Sequence, residues 1–191
     1  MLGFAGLIVF SMTVRALFLY TKGKKHYRSL RGGAVPLAAL GLYAFVTGIY
    51  GQIAWPLPGS YNILFYDIYV LVGLLFISLA WTLRSDIDTQ HVGMFGFLIG
   101  LAALYYGFEG YVIGLTQSPI LLLGLYTLFG LTGILSYPMS VMLDKSDEGE
   151  KLKWKGWKVI GSFFLLFLFL GSILALFIAM EAIPVHLLTP P

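Results

Sequence analysis

Long apolar runs separated by short polar links form the dominant pattern of the chain. Each run approaches the roughly 20 apolar residues that a helix needs to cross a bilayer. The predicted helical spans cover about residues 2–20, 34–55, 61–83, 93–116, 120–143 and 159–183. The links leave no room for a soluble domain. We therefore predict an all-α fold: a single transmembrane domain over residues 1–191, built as an integral membrane bundle of six transmembrane helices.

The composition supports a membrane class. Of the 191 residues, 59% are hydrophobic and only 11% are charged, whereas soluble domains carry about 25% charged residues. So few charges cannot cover a water-facing surface, which excludes soluble enzymes and nucleic-acid binders. The chain has no cysteine, so disulfide scaffolds and thiolate metal sites are excluded as well.

The basic residues predict the direction of the spans. All twelve lysines and arginines except Arg15 lie in the first, third and fifth links, while the even links contain none. The positive-inside rule then places the odd links in the cytoplasm and both termini outside the cell membrane. The lysine-rich first and fifth links are expected to contact anionic lipid headgroups. The lipid bilayer is thus the expected partner, and nucleic acid is not.

Small residues recur at spacings of three and four along the fourth span. In lipid, helices associate by close backbone approach at such residues, so we predict a helix-packing seam and expect span four to be central in the bundle. The seam consists of Gly93, Gly96, Gly100, Ala103, Gly107, Gly110 and Gly114.

Two carboxylates are candidates for chemistry within the membrane. Asp67 and Glu109 are both expected roughly 9–11 Å below the outer boundary, from the rise of about 1.5 Å per helical residue. No lysine or arginine lies in the outer half, so we expect the pair to hold a proton or a cation. Asn62, Gln52 and Tyr105 could add ligands or hydrogen bonds. Alternatively, the two carboxylates make only structural polar pairs, or Asp67 is solvated near a helix start.

The segment from Trp55 to Asp67, with the sequence WPLPGSYNILFYD, resembles the signature of a membrane family catalogued as domain of unknown function 981. The resemblance covers most of the chain and implies a small polytopic protein of archaea and some bacteria with about six spans. It implies no reaction or ligand, but it marks Asn62 and Asp67 as site candidates. The family has glycine before the aspartate, where this chain has Tyr66.

Three functions remain open from the sequence. The first is binding or transport of protons or cations at the outer carboxylates. The second is a role as accessory or scaffold subunit of a larger membrane complex, or as a homo-oligomer. The third is lipid binding or membrane enzyme activity, which is the least supported because no catalytic motif is present. We expect no cofactor, since the three histidines lie outside the predicted spans.

Overall fold

The fold is helical throughout the described residues. The computed structural model describes residues 2–21, 31–85, 87–147 and 156–188. The predicted basic links lie largely outside these residues, at 22–30 and 148–155. The helices are α1 (Leu2–Thr21), α2 (Ala34–Ala54), α3 (Gly59–Ser85), α4 (Gln90–Val112), α5 (Pro119–Asp147) and α6 (Gly156–Leu188).

Five of these helices are long and apolar enough to cross a membrane, namely α2 to α6. In α1 the apolar stretch whose side chains are described runs over Ala5–Ala16 and is shorter than a span. Large apolar side chains remain exposed along the helices, for example Ile53 at 81% and Met180 at 69%. Such surfaces suit a membrane protein, because lipid tails solvate them without cost.

Helix α4 ends earlier than the sequence predicts. It stops at Val112, and Gly114 follows in a left-handed turn with φ +62°. In that turn the Leu115 amide donates to the Gly110 carbonyl over 3.0 Å, an arrangement typical of helix ends that use glycine. Gly114 therefore terminates α4 and does not belong to the packing seam, and an added Cβ there would meet open space.

Helices α2 and α3 form a tightly packed antiparallel hairpin. A Cβ added to Gly41 would lie 2.8 Å from the Ile77 nitrogen, and one added to Gly73 would lie 2.5 Å from the Phe45 nitrogen. The backbones are therefore in direct contact at these glycines. Gly51 similarly lies under the ring of Tyr66.

Helices α4 and α5 form a second hairpin. The small residues on one face of α4 allow the two backbones to approach closely. A Cβ added to Gly100 would lie 2.6 Å from the Gly130 carbonyl oxygen. The hydroxyl of Ser136 donates to the Gly93 carbonyl over 2.9 Å. All members of the predicted seam except Gly114 are buried. Those with a contact to α5 are Gly93, Gly96, Gly100, Gly107 and Gly110.

The six helices follow one another around a ring in chain order. Consecutive helices from α2 to α6 pack against one another, α1 contacts α2 only slightly, and α1 closes the ring against α6, where the rings of Phe10 and Phe169 stack with centroids 5.4 Å apart. Within the described residues, the substantial contacts of α4 are with α3 and α5. The expectation that span four is central was wrong: its glycines serve one close partner, α5.

A buried carboxylate caps the beginning of α4. Asp144 of α5 is 9% exposed and accepts the backbone amide of Thr89 at 3.0 and 2.9 Å and that of Gln90 at 3.1 Å. The Thr89 hydroxyl adds a third donor at 2.9 Å. A carboxylate is favourable here because the first amides of a helix lack partners and carry partial positive charge. The cap fastens α4 to α5 at the end of the bundle called here the Thr89 end, which carries residues 87–89. The opposite end, with links 55–58 and 113–118, is called the Trp55 end.

Candidate functional site

The link between α2 and α3 is held by a buried asparagine. Asn62 is 1% exposed, donates from Nδ2 to the Gly51 carbonyl over 2.9 Å and accepts the Leu57 amide over 3.3 Å. Trp55 adopts φ +46°, a left-handed conformation that is costly for a bulky residue. The two hydrogen bonds of Asn62 stabilise this turn. Asn62 thus shapes the loop, and its side chain makes no hydrogen bond to Asp67.

Asp67 joins three helices near the Trp55 end. Its Oδ1 accepts a hydrogen bond from Gln52 Nε2 of α2 over 3.0 Å. Its Oδ2 accepts one from the Tyr106 hydroxyl of α4 over 2.9 Å. The structure therefore brings together two of the residues that the sequence singled out, Asp67 and Gln52, and adds Tyr106 as the third.

The charge of Asp67 is met only by neutral donors. No lysine or arginine of the described part of the chain bonds to its carboxylate. Gln52 is exposed and Asp67 half-buried, so the site is open to the surroundings on the α2 side. A carboxylate oxygen has room for more than one partner, so Asp67 keeps acceptor capacity for a proton or a cation.

Glu109 and Tyr105 lie on α4 near Tyr106. Glu109 is exposed, and its carboxylate bonds to none of the described residues. It follows Tyr106 by three positions on α4, which places it on a neighbouring part of the same helix surface. Tyr105 is 65% exposed and contacts the Tyr106 ring edge-on, with centroids 6.3 Å apart. The structure does not link Glu109 to Asp67 by a hydrogen bond.

Two tyrosines at this end of the bundle were not predicted from the sequence. Tyr106 bonds to Asp67, and Tyr126 of α5 donates to the Leu64 carbonyl of α3 over 2.8 Å. A helical signal existed for Tyr106: it stands three residues after Ala103 and four before Gly110, both of which are buried. Tyr105 belongs instead to the exposed stripe of α4 that also carries Leu101, Phe108 and Val112.

The donor set suits a single positive charge better than a polynuclear metal site. Among the described residues, no three histidine or acidic side chains lie together. Around Asp67, the groups in contact are an amide and a phenol, which are weak ligands beside one carboxylate. The arrangement offers one titratable carboxylate and hard oxygen atoms.

Comparison with known proteins gives the family and no activity. No curated protein and no solved structure matches the chain. The model of the family described as "Protein of unknown function (DUF981)" matches residues 1–189 of the 191 residues. The expected family is thereby confirmed: this chain, in which Asn62 and Asp67 of the segment Trp55–Asp67 both bond to α2, belongs to the DUF981 family.

Proposed function

We propose that this protein reversibly binds a proton or a small monovalent cation at Asp67, within a bundle of six membrane-spanning helices. The observation that carries the proposal is the carboxylate itself: it lies on α3 of an apolar helical bundle, and among the described residues its donors are the neutral Gln52 and Tyr106. An ionisable group at membrane depth is costly and is typically retained for function. A bound cation would supply the positive charge that the described residues do not supply at this carboxylate.

The site would be reached from outside the cell. The basic links predict that the Trp55 end faces outward and that both termini are external. Gln52 lies in the last turn of α2, next to the link at 55–58. A cation approaching from the outer solution would therefore meet Glu109 and Gln52 at the rim before it reaches Asp67.

A purely structural role for Asp67 is the second candidate. It is favoured by the fact that the carboxylate holds α2 and α4 to α3 at the same time. The two roles differ in one respect: a structural link needs hydrogen bonds to Gln52 and Tyr106 and no charge, whereas cation binding needs the charge. Asparagine removes the charge, keeps one acceptor oxygen and can donate from its amide to the Tyr106 hydroxyl oxygen, so Asp67→Asn separates the two roles.

The test is cation binding by the full chain in lipid nanodiscs. Radioactive sodium measures metal-ion binding, and proton uptake is followed with a pH-sensitive dye after an acid pulse. We expect Asp67→Asn to weaken binding about 100-fold or more, because a unit charge pair at 4 Å near a protein surface is worth about 4 kcal/mol. Glu109→Gln should weaken it less, since that side chain is exposed and more strongly screened.

Asp88→Asn is the matched control, because Asp88 is an exposed aspartate at the Thr89 end. It should bind like the unaltered chain. If the unaltered protein takes up neither sodium nor protons, or if Asp67→Asn binds as well as it does, cation binding at Asp67 is excluded and the structural role stands.

A further inference from the structure

The two hairpins are each held by backbone contact. In α2–α3 the backbone contacts are at Gly41, Gly48 and Gly73. In α4–α5 a Cβ added to Gly133 would lie 2.6 Å from the Gly100 Cα. Packing this close leaves no slack, because either helix could move only by shifting a whole backbone. Each hairpin therefore behaves as a rigid unit.

The boundary between the hairpins is different in kind. The contact of α3 with α4 is much less extensive than the contact within either hairpin. At two glycines of α4 it is made by leucine side chains: Cβ atoms added to Gly96 and Gly110 would lie 3.5 Å from Leu75 and 3.4 Å from Leu64. These are ordinary van der Waals distances to flexible groups, and such an interface can slide or part.

Two tyrosine hydroxyls bridge this boundary near the Trp55 end. Tyr106 donates to Asp67 Oδ2 over 2.9 Å, and Tyr126 donates to the Leu64 carbonyl over 2.8 Å. Both donors lie on α4–α5 and both acceptors on α3. We call these two hydrogen bonds the tyrosine latch. An apolar cluster of Leu64, Ala103, Leu122 and Tyr126 surrounds them.

We infer that the tyrosine latch couples the occupancy of Asp67 to the separation of the two hairpins. The inference rests on the proposed function. A hydrogen bond to an ionised carboxylate is about twice as strong as a neutral one, so a cation or proton on Asp67 weakens the bond from Tyr106. Near the Trp55 end the hairpins are then held by the bond from Tyr126 and by apolar contacts alone, and their separation at that end increases.

The groups that face Asp67 leave the carboxylate as the charged member of the latch. Helix α2 presents neutral Gln52, and α4 presents Tyr106 with Glu109 one turn further along. From α5, Tyr126 donates to the Leu64 carbonyl and not to Asp67. Among these, Asp67 and Glu109 are the acidic side chains whose charge a proton would cancel. Glu109 bonds to none of the described residues across the boundary. Asp67 is therefore the group through which a bound proton or cation affects the α3–α4 boundary.

The test uses spin-label distances in the full chain, which has no native cysteine. Labels at Ser60→Cys of α3 and Val112→Cys of α4 span the boundary, and both positions are exposed. Labels at Ile53→Cys and Ser60→Cys report on the α2–α3 hairpin alone. Distances measured in sodium are compared with distances measured in an equal concentration of a large organic cation. Sodium binding is measured on the same samples.

We expect sodium to increase the cross-boundary distance by about 2 Å or more, the scale of helix shifts at packed interfaces, and to leave the hairpin distance unchanged. Tyr106→Phe, which removes only the hydroxyl, should show the wider distance without sodium. If sodium binds and the cross-boundary distance stays constant, the latch is wrong while the proposed function stands. If Tyr106→Phe keeps the narrow distance, the latch is wrong as well. If sodium and protons do not bind at all, both fall together.

Discussion

At the scale of single residues, the carboxylates of this chain differ in how their charge is met. Asp144 accepts hydrogen bonds from two backbone amides and a hydroxyl at the beginning of α4, so its charge stabilises the helix end. Asp67 has two neutral donors and spare acceptor capacity. Glu109 is exposed and bonds to none of the described residues. This gradation separates a structural carboxylate from one that is available for a ligand.

Replacing Asp144 by alanine should destabilise the protein by about 2 kcal/mol or more. The change removes the helix cap and leaves the buried amides of Thr89 and Gln90 without an acceptor. Denaturation in mixed detergent micelles, followed by circular dichroism, measures the free energy of unfolding. Asp88→Ala is the control, since that carboxylate is exposed in the same link. Equal stability of the two variants would show that the cap contributes nothing.

The sequence could identify Asp67 but not the role of Asp144. Asp67 stands out because it interrupts an apolar run, whereas Asp144 lies near the lysines of a polar link and resembles a solvated residue. Its partners Thr89 and Gln90 are 55 and 54 positions away along the chain. No local pattern reports a contact over that distance, because it depends on how α4 and α5 are aligned.

At the scale of helices, the period of the small residues carries most of the information. The spacing of Gly93, Gly96, Gly100, Ala103, Gly107 and Gly110 marks the face of α4 that is buried. The same helical period places Tyr106 beside that buried face and Tyr105 on the exposed stripe. Position alone did not show that Gly114 ends the helix, because a glycine fits a left-handed turn as well as a packed face.

Gly100→Ala and Gly124→Ala should have opposite effects on stability. At Gly100 the new methyl group would lie 2.6 Å from a backbone oxygen of α5, so the helices must part and the cost is about 1–3 kcal/mol. At Gly124 the nearest atom is a leucine methyl at 3.5 Å, so alanine fits and gains up to about 1 kcal/mol of helix propensity. The free energies of unfolding of both variants, measured in the same micelles, test this prediction. A Gly100→Ala variant as stable as the unaltered protein would contradict the backbone contact.

At the scale of the whole molecule, the sequence indicates how many helices there are more clearly than which ones touch. In lipid, apolar residues occupy every face of a helix, so hydropathy does not distinguish a neighbouring helix from the surrounding chains of lipid. For this reason the ring order, with α1 against α6, was not predictable from residues such as Phe10 and Phe169. The basic links, in contrast, make a definite prediction of orientation that the packing alone does not.

The orientation predicts which engineered cysteines a membrane-impermeant maleimide reaches in intact cells. Ser60→Cys and Ser118→Cys, both exposed at the Trp55 end, should react, and Asp88→Cys at the Thr89 end should react only after the membrane is permeabilised. All three should be labelled equally in detergent, which controls for buried sites. The reverse pattern would mean that the termini face the cytoplasm.

The ring order has a consequence for biogenesis. Helices α3 and α5 each make their most extensive contact with the helix that is synthesised just before them, and synthesis proceeds from the N-terminus. The α2–α3 and α4–α5 pairs can consequently assemble as they enter the bilayer, without waiting for distant parts of the chain. The contacts of α6 with α5 and α1 must await the last helix, so chains that are truncated before residue 156 and released from the ribosome are expected to hold both hairpins in an unclosed arc.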